Sequence, residues 1–174
     1  MQPKRIKLDI IRVIMVDKPL GNSSNQALSK IKWRLKPKKA GHTGTLDPLA
    51  TGLLPICLGE ATKFSSFLLE SDKTYEASIK LGFKSNTGDS EGIIESLNIE
   101  QLPSLKEIEE TLQQFLGYQE QLPPMYSALK FEGKPLYEYA RRGEEIARKK
   151  RGINITSLEL IDYSDNILKI RVGC

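Results

Sequence analysis

The sequence of 174 residues predicts a single domain of mixed helix and strand. Three patterns carry that expectation. Residues 75–81 alternate, with Tyr75, Ala77, Ile79 and Leu81 on one face and Glu76, Ser78 and Lys80 on the other, the period of a half-buried strand. Ser23-Ser-Asn-Gln26 and Ser104-Leu-Lys-Glu107 are capping-box patterns, each opening a helix. Residues 153–163 and 166–172 read as two strands joined by Ser164-Asp165 into a hairpin. A chain of this length buries roughly 70% of the surface it exposes when unfolded.

Taken in order, residues 11–16 form the first strand, ended by Lys18-Pro-Leu-Gly21. The first helix carries Leu28, Ile31 and Leu35 on one face at helical spacing, with Lys30, Lys32, Arg34 and Lys36 largely off that stripe. Pro37 stops it. Leu53-Leu-Pro-Ile-Cys-Leu58 is an apolar run that reads as a buried strand. Residues 60–70 form a short helix with Ala61, Phe64 and Leu68 inward, and residues 84–95 a turn-rich exposed loop. The second capped helix presents Leu105, Ile108, Leu112 and Phe115 and closes at Gly117. Pro123-Pro124 breaks the chain, and residues 136–142 make a last short helix before Gly143.

The net charge of +4 is unevenly spread. Residues 1–39 hold eleven Lys or Arg against two Asp, residues 86–120 hold eight acids against one Lys, and residues 130–151 are basic again. Two basic regions around an acidic one suit a polyanion met by one face, although lysine-rich helices are also simply solvated. Cys57 and Cys174 make no disulfide framework, and one His with two distant Cys makes no metal site. Val13-Ile-Met-Val16 is too short for a signal core or a membrane span, so a reducing cytoplasm is the expected location.

The densest stretch is Gly41-His-Thr-Gly-Thr-Leu-Asp-Pro-Leu-Ala-Thr-Gly52. It holds the only histidine, and Asp47 is the one charge between Lys39 and Glu60. Asp-Pro keeps Asp47 out of helical geometry and lets a turn present its carboxylate. The string resembles the signature of the bacterial tRNA pseudouridine synthase B (TruB) family. Val16-Asp-Lys-Pro-Leu-Gly-Asn-Ser-Ser-Asn25 is similar to that family's first motif, and Ser71-Asp-Lys-Thr-Tyr75 to its tyrosine motif. Pro123-Pro-Met-Tyr-Ser-Ala-Leu-Lys130 and Leu136-Tyr-Glu-Tyr-Ala-Arg141 are similar to its RNA-gripping insertion, placed at about residues 121–151.

The resemblance implies an α+β pseudouridine synthase fold, with a mostly antiparallel central sheet and flanking helices, incomplete at the C-terminus. Residues 1–174 then form the N-terminal part of the catalytic domain, without its remainder or a C-terminal RNA-binding domain. It implies isomerisation of uridine 55 in the T loop of tRNA, by a cytoplasmic monomer that needs no cofactor and no metal. Asp47 becomes the catalytic carboxylate, as nucleophile or as base, and Tyr75 stacks on the flipped uracil and takes part in proton removal. His42 contacts the RNA beside the target and Lys18 supports the active-site strand. Lys130, Arg141 and Arg142 grip the RNA, interleaved with Tyr126, Phe131, Tyr137 and Tyr139; the last two lie near the helical stripe and fit a small helical core better. In the family an arginine offsets the desolvation of the aspartate, and its motif lies past residue 174. The alternative expectation is therefore a truncated chain that binds tRNA without turning it over.

Overall fold

A computed structural model describes residues 7–174, which divide after Ser71 into two compact units. The first unit is built from β1 (Arg12–Lys18), α1 (Ser24–Leu35), β2 (Ala40–His42), β3 (Gly52–Leu58), a 3-10 turn (Gly59–Phe64) and α2 (Ser65–Leu69). β3 lies between β1 and β2 and pairs antiparallel with both. α1 starts where the sequence places it. Ser23 Oγ accepts from the Gln26 amide and the Gln26 side chain accepts from the Ser23 amide, closing the capping box. It ends at Lys36, whose left-handed backbone precedes Pro37.

The core of this unit is Ala27 of α1 against Leu54, Ile56 and Leu58 of β3. Leu28, Ile31 and Leu35 pack around it with Ile14 and Val16 of β1, so the apolar stripe of the helix faces the sheet as its spacing requires. Cys57 is fully buried. Residues 60–70 are helical, but the first turns are 3-10 and Phe64 is exposed rather than inward. The tighter 3-10 repeat rotates Phe64 off the face that an α-helix would give it.

The second unit comprises β4 (Thr74–Lys80), β5 (Phe83–Ser85), β6 (Ile94–Ser96), α3 (Leu105–Gln114), β7 (Gly117–Gln121), β8 (Lys130–Phe131), β9 (Lys134–Pro135), α4 (Leu136–Arg141), β10 (Arg151–Ile155), β11 (Ser157–Ser164) and β12 (Ile167–Gly173). All pairs between these strands are antiparallel. The largest sheet orders β11-β12-β4, and smaller pairs join β10 to β7, β5 to β6 and β8 to β9. Asp165 and Asn166 both take positive φ, the two-residue geometry that suits the twist of the β11–β12 hairpin.

Several expectations need correction here. Residues 153–163 are two strands in two sheets, β10 on β7 and β11 on β12. The loop at 84–95 contains the hairpin β5–β6, held at its mouth by the Ile93 amide donating to Asn86 Oδ1 at 2.8 Å. Gly117 does not close α3 but opens β7, and of the α3 stripe only Ile108 is buried. The face of β4 assigned inward is open: Tyr75 and Ile79 are each 41% exposed.

One glycine in the first unit is under strict constraint. Gly59 has φ 58°, and a Cβ there would collide with the Ile10 carbonyl. Gly59→Ala is expected to lower stability by about 2 kcal/mol or more, from left-handed strain plus a backbone clash that cannot relax through a side chain. Urea denaturation of the two proteins measures it, with a lowered midpoint and an unchanged slope.

Candidate active site

The loop that carries Asp47 is short of secondary structure and rich in tethers. His42 ends β2 opposite Ile56 of β3. The chain then turns, and the buried Thr43 donates its amide to the Pro55 carbonyl at 3.1 Å. Asp47 itself is exposed, and its carbonyl accepts from the Ala50 amide at 3.0 Å, so Asp47-Pro-Leu-Ala50 is a turn with the carboxylate at its first position. The chain re-enters the sheet at Gly52, the first residue of β3, with φ 116°.

This loop is braced by the residues between β1 and α1. Ser24, almost fully buried, accepts from the Leu46 amide at 2.9 Å and lies 3.1 Å from the Leu46 carbonyl, to which its hydroxyl is the donor. The Gly21 amide donates to the Pro48 carbonyl at 2.8 Å. Both residues beside Asp47, Leu46 and Pro48, are therefore held by the first motif. That motif is itself held by Lys18, which is fully buried, with Nζ donating to the Asn22 carbonyl at 2.6 Å and the Pro19 carbonyl at 3.2 Å. A buried amine is costly without acceptors, and here two carbonyls of the turn fill that role.

His42 is half-buried, and its Nδ1 is enclosed without a hydrogen-bond partner among the described residues. Lys18, His42 and Asp47 belong to the first unit, and the structure joins the Lys18 turn to the Asp47 loop directly. Tyr75, Lys130, Arg141 and Arg142 belong to the second unit. Tyr75 stands on β4 opposite Val172 of β12. Burial, and then the charge at Cys174, hold its phenol above the ordinary tyrosine value, so the ring stays neutral in the physiological range.

The basic side chains of residues 121–151 are mostly occupied. Arg142 is bound to Glu144, with Nε 2.6 Å from Oε1, and lies over the Tyr139 ring at 4.8 Å. Arg148 donates to the Pro123 carbonyl at 3.0 Å and pairs with Glu145, which staples this segment across 25 residues. Lys130 and Arg141 remain exposed, Arg141 over Tyr137 at 5.3 Å. Tyr139 is buried and donates to the Phe131 carbonyl at 3.1 Å, so it is core. Among the described residues, no three His, Cys, Asp or Glu side chains gather as metal ligands, and no helix is long and apolar enough to cross a membrane.

A braced aspartate loop on an antiparallel sheet, followed by a second antiparallel unit, gives a mixed α/β protein with the pseudouridine synthase fold. Solved structures share it: a chain of a Cbf5-Nop10-Gar1 complex superposes with a TM-score of 0.66 at 28% identity, over 92% of this chain and 38% of that one. A chain of an H/ACA RNP bound to a substrate RNA containing 2′-deoxyuridine does so at 0.61 and 26% identity, over 92% and 37%. Residues 32–174 match the model of the TruB family pseudouridylate synthase N-terminal domain, and the chain belongs to that family. It is 49% identical to the tRNA pseudouridine synthase B of Pseudomonas putida over 174 residues, 99% of this chain and 56% of the relative. With that of Marinomonas sp. it shares 52% over 164 residues, 93% and 53%. The chain spans about half the length of the curated relatives it matches.

Two outcomes follow from the site. Lys18→Met is expected to lose about 2 kcal/mol of stability, because it strips a charged donor from two carbonyls inside the turn; calorimetric or urea unfolding measures it. The raised phenol of Tyr75 also gives a sign for alkaline pH. Below pH ~10 neither the folded nor the unfolded tyrosine is ionised, and this residue adds no pH dependence. Above that, the unfolded chain loses the proton first and folded stability falls. Tyr75→Phe is expected to remove a late component from the phenolate absorbance titration and to flatten that fall.

Proposed function

We propose that this chain carries the part of a tRNA pseudouridine synthase that presents the reacting carboxylate, and that its substrate is uridine 55 in the T loop of tRNA. The observation that carries the reading is the double tether of Asp47. Its neighbouring residues, Leu46 and Pro48, are fixed through Ser24 and Gly21, while its own side chain is exposed at the surface. A catalytic group held this way loses little freedom when substrate arrives.

Isomerisation breaks the bond from ribose to the uracil nitrogen and rejoins the base through a ring carbon. Asp47 supplies the carboxylate, as nucleophile on the sugar or as base. Tyr75 offers a neutral ring for stacking on an extruded uracil, the usual means by which a base taken out of a stack is held. His42 touches the RNA beside the target, and Lys18 keeps the supporting turn in place. Lys130, Arg141 and Arg142, within an RNA-gripping insertion at 121–151, take phosphates by charge and stacking. Residues 1–174 are then the N-terminal portion of the catalytic domain of a cytoplasmic monomer. The names of the curated relatives and the RNA-bound solved relative support this assignment.

The test is pseudouridine mapping by position on an unmodified tRNA transcript, with the 174-residue chain and with a version extended to the length of the relatives. Product at position 55 from the extended protein is expected, and Asp47→Asn in it is expected to reduce the rate by at least about 10³-fold. Unchanged product from Asp47→Asn would sink the reading.

A further inference from the structure

The exposed face of α1 has a composition that folding does not require. Ser24, Ala27, Leu28, Ile31 and Leu35 turn to the core. On the opposite side stands Trp33, 65% exposed and the only tryptophan in the sequence. Lys30 and Lys32 flank it on the helical surface, three residues before and one residue before in sequence. No acid occurs within Ser24–Leu35. Several cations elsewhere hold carboxylates: Lys38 holds Asp9, Lys63 holds Glu60, and Arg171 holds Glu76 and Glu159. Among the described residues, no carboxylate pairs with Lys30 or Lys32, and Lys30 Nζ reaches only the Asn22 side-chain oxygen, at 3.0 Å.

The same face extends to the start of α1. At its upper end an open groove of about 400 Å³ is lined by Asn22, Asn25, Gln26, Ser29 and Lys30, a set of amides, a hydroxyl and an amine. Ser24, the buried first residue of the same helix, is the residue bonded to Leu46. From there α1 runs roughly 18 Å at the usual rise. A surface of hydrogen-bonding amides, unpaired cations and a flat ring is the chemistry that takes an unpaired nucleic acid strand: bases stack on the ring and the cations take phosphates.

We propose that the outer face of α1 is an RNA-docking surface, on which an unpaired base of the substrate stacks against the Trp33 indole while Lys30 and Lys32 take adjacent phosphates. The proposal rests on the reading of this chain as RNA-modifying and adds a contact beyond the Asp47 loop. The occupant is RNA because the face is uniformly cationic and hydrogen-bonding, with one aromatic plane rather than an apolar patch.

Trp33 is its own reporter, since no other tryptophan contributes to the emission. The 174-residue chain is titrated with unmodified tRNA transcript, following tryptophan emission with free tryptophan as the optical control, and following binding separately by filter retention. Quenching that saturates together with retention is expected. Trp33→Ala should weaken retention by about 5- to 150-fold, the range of one stacked base, and Trp33→Phe should recover part of it. Lys30→Ala with Lys32→Ala should reduce the salt slope of log K by about 1.4, that is ~0.7 per phosphate on a single strand. All three variants should keep the thermal midpoint, because the side chains are exposed.

Retention of tRNA with unchanged tryptophan emission overturns the proposal and leaves the RNA reading standing. Absence of any retention overturns both. Emission that depends on protein concentration without RNA assigns the face to a second copy of the chain and overturns the proposal.

Discussion

The Lys18 amine is the interaction on which the candidate site depends. A lysine with no exposed surface must replace its water with acceptors, and it does so with the carbonyls of Pro19 and Asn22. The turn after β1 is therefore wrapped around its own last strand residue. Everything downstream inherits that shape: Gly21 is placed to donate to Pro48, and Ser24 is placed both to open α1 and to hold Leu46. The link from motif to motif is backbone-directed. It fixes the path of the Asp47 loop while spending no charge on Asp47 itself.

Charge in this chain is arranged by the same economy of partners. The acidic and basic runs seen in the sequence are in part each other's partners, as with Lys150 and Glu120. Exposed pairs of this kind add little stability, typically below ~1 kcal/mol. Their larger effect is on the surface potential, which they flatten wherever they form. A basic run therefore overstates the cation that is free to meet a ligand. Arg148 shows the extreme case: it sits in the basic run Arg148-Lys-Lys-Arg151, yet it is mostly buried and fastened to Pro123, Ile146 and Glu145.

What could be read from sequence divides by range. The capping boxes at Ser23 and Ser104 are closed within three residues, so their signal is complete in the local pattern. The alternation of β12 is local in the same sense, although the turn falls at Asp165-Asn166, one residue past the Ser164-Asp165 that the pattern suggested. The break between β10 and β11 was missed by reading 153–163 as one strand, although a signal for it is present: Ile153 and Ile155 occupy odd positions, whereas Leu158 and Leu160 occupy even ones. That change of phase marks a switch of sheet at Thr156. By contrast the β5–β6 hairpin is only three residues long on each side and is held by side chains, Asn86 on Ile93 and Thr87 on Asp89, which no periodicity reports. Of the site, Asp47 and its turn were legible because Asp-Pro and the flanking glycines restrict the backbone. The burial of Lys18 was not, since lysine is seldom fully buried and nothing local marks it. Nor was the clasp of Ser24 on Leu46, which spans 22 residues.

The two halves of the first unit thus have opposite designs on one scaffold. The face of α1 toward the sheet is closed, and its packing sets the distance between helix and β3. The Asp47 loop is attached to the N-terminal end of that same helix through Ser24. Any RNA held along the outer face of α1 is consequently referenced to Asp47 through a rigid element, with one hydrogen-bonded joint between them. A helix is stiffer than a loop, so a contact made near Trp33 constrains the approach of substrate to the carboxylate in a way that an equal contact on a mobile segment would not. Trp33, the one tryptophan of the sequence, stands 65% exposed on the side of α1 opposite the core, so the proposed RNA contact uses a side chain that the packing of the helix does not.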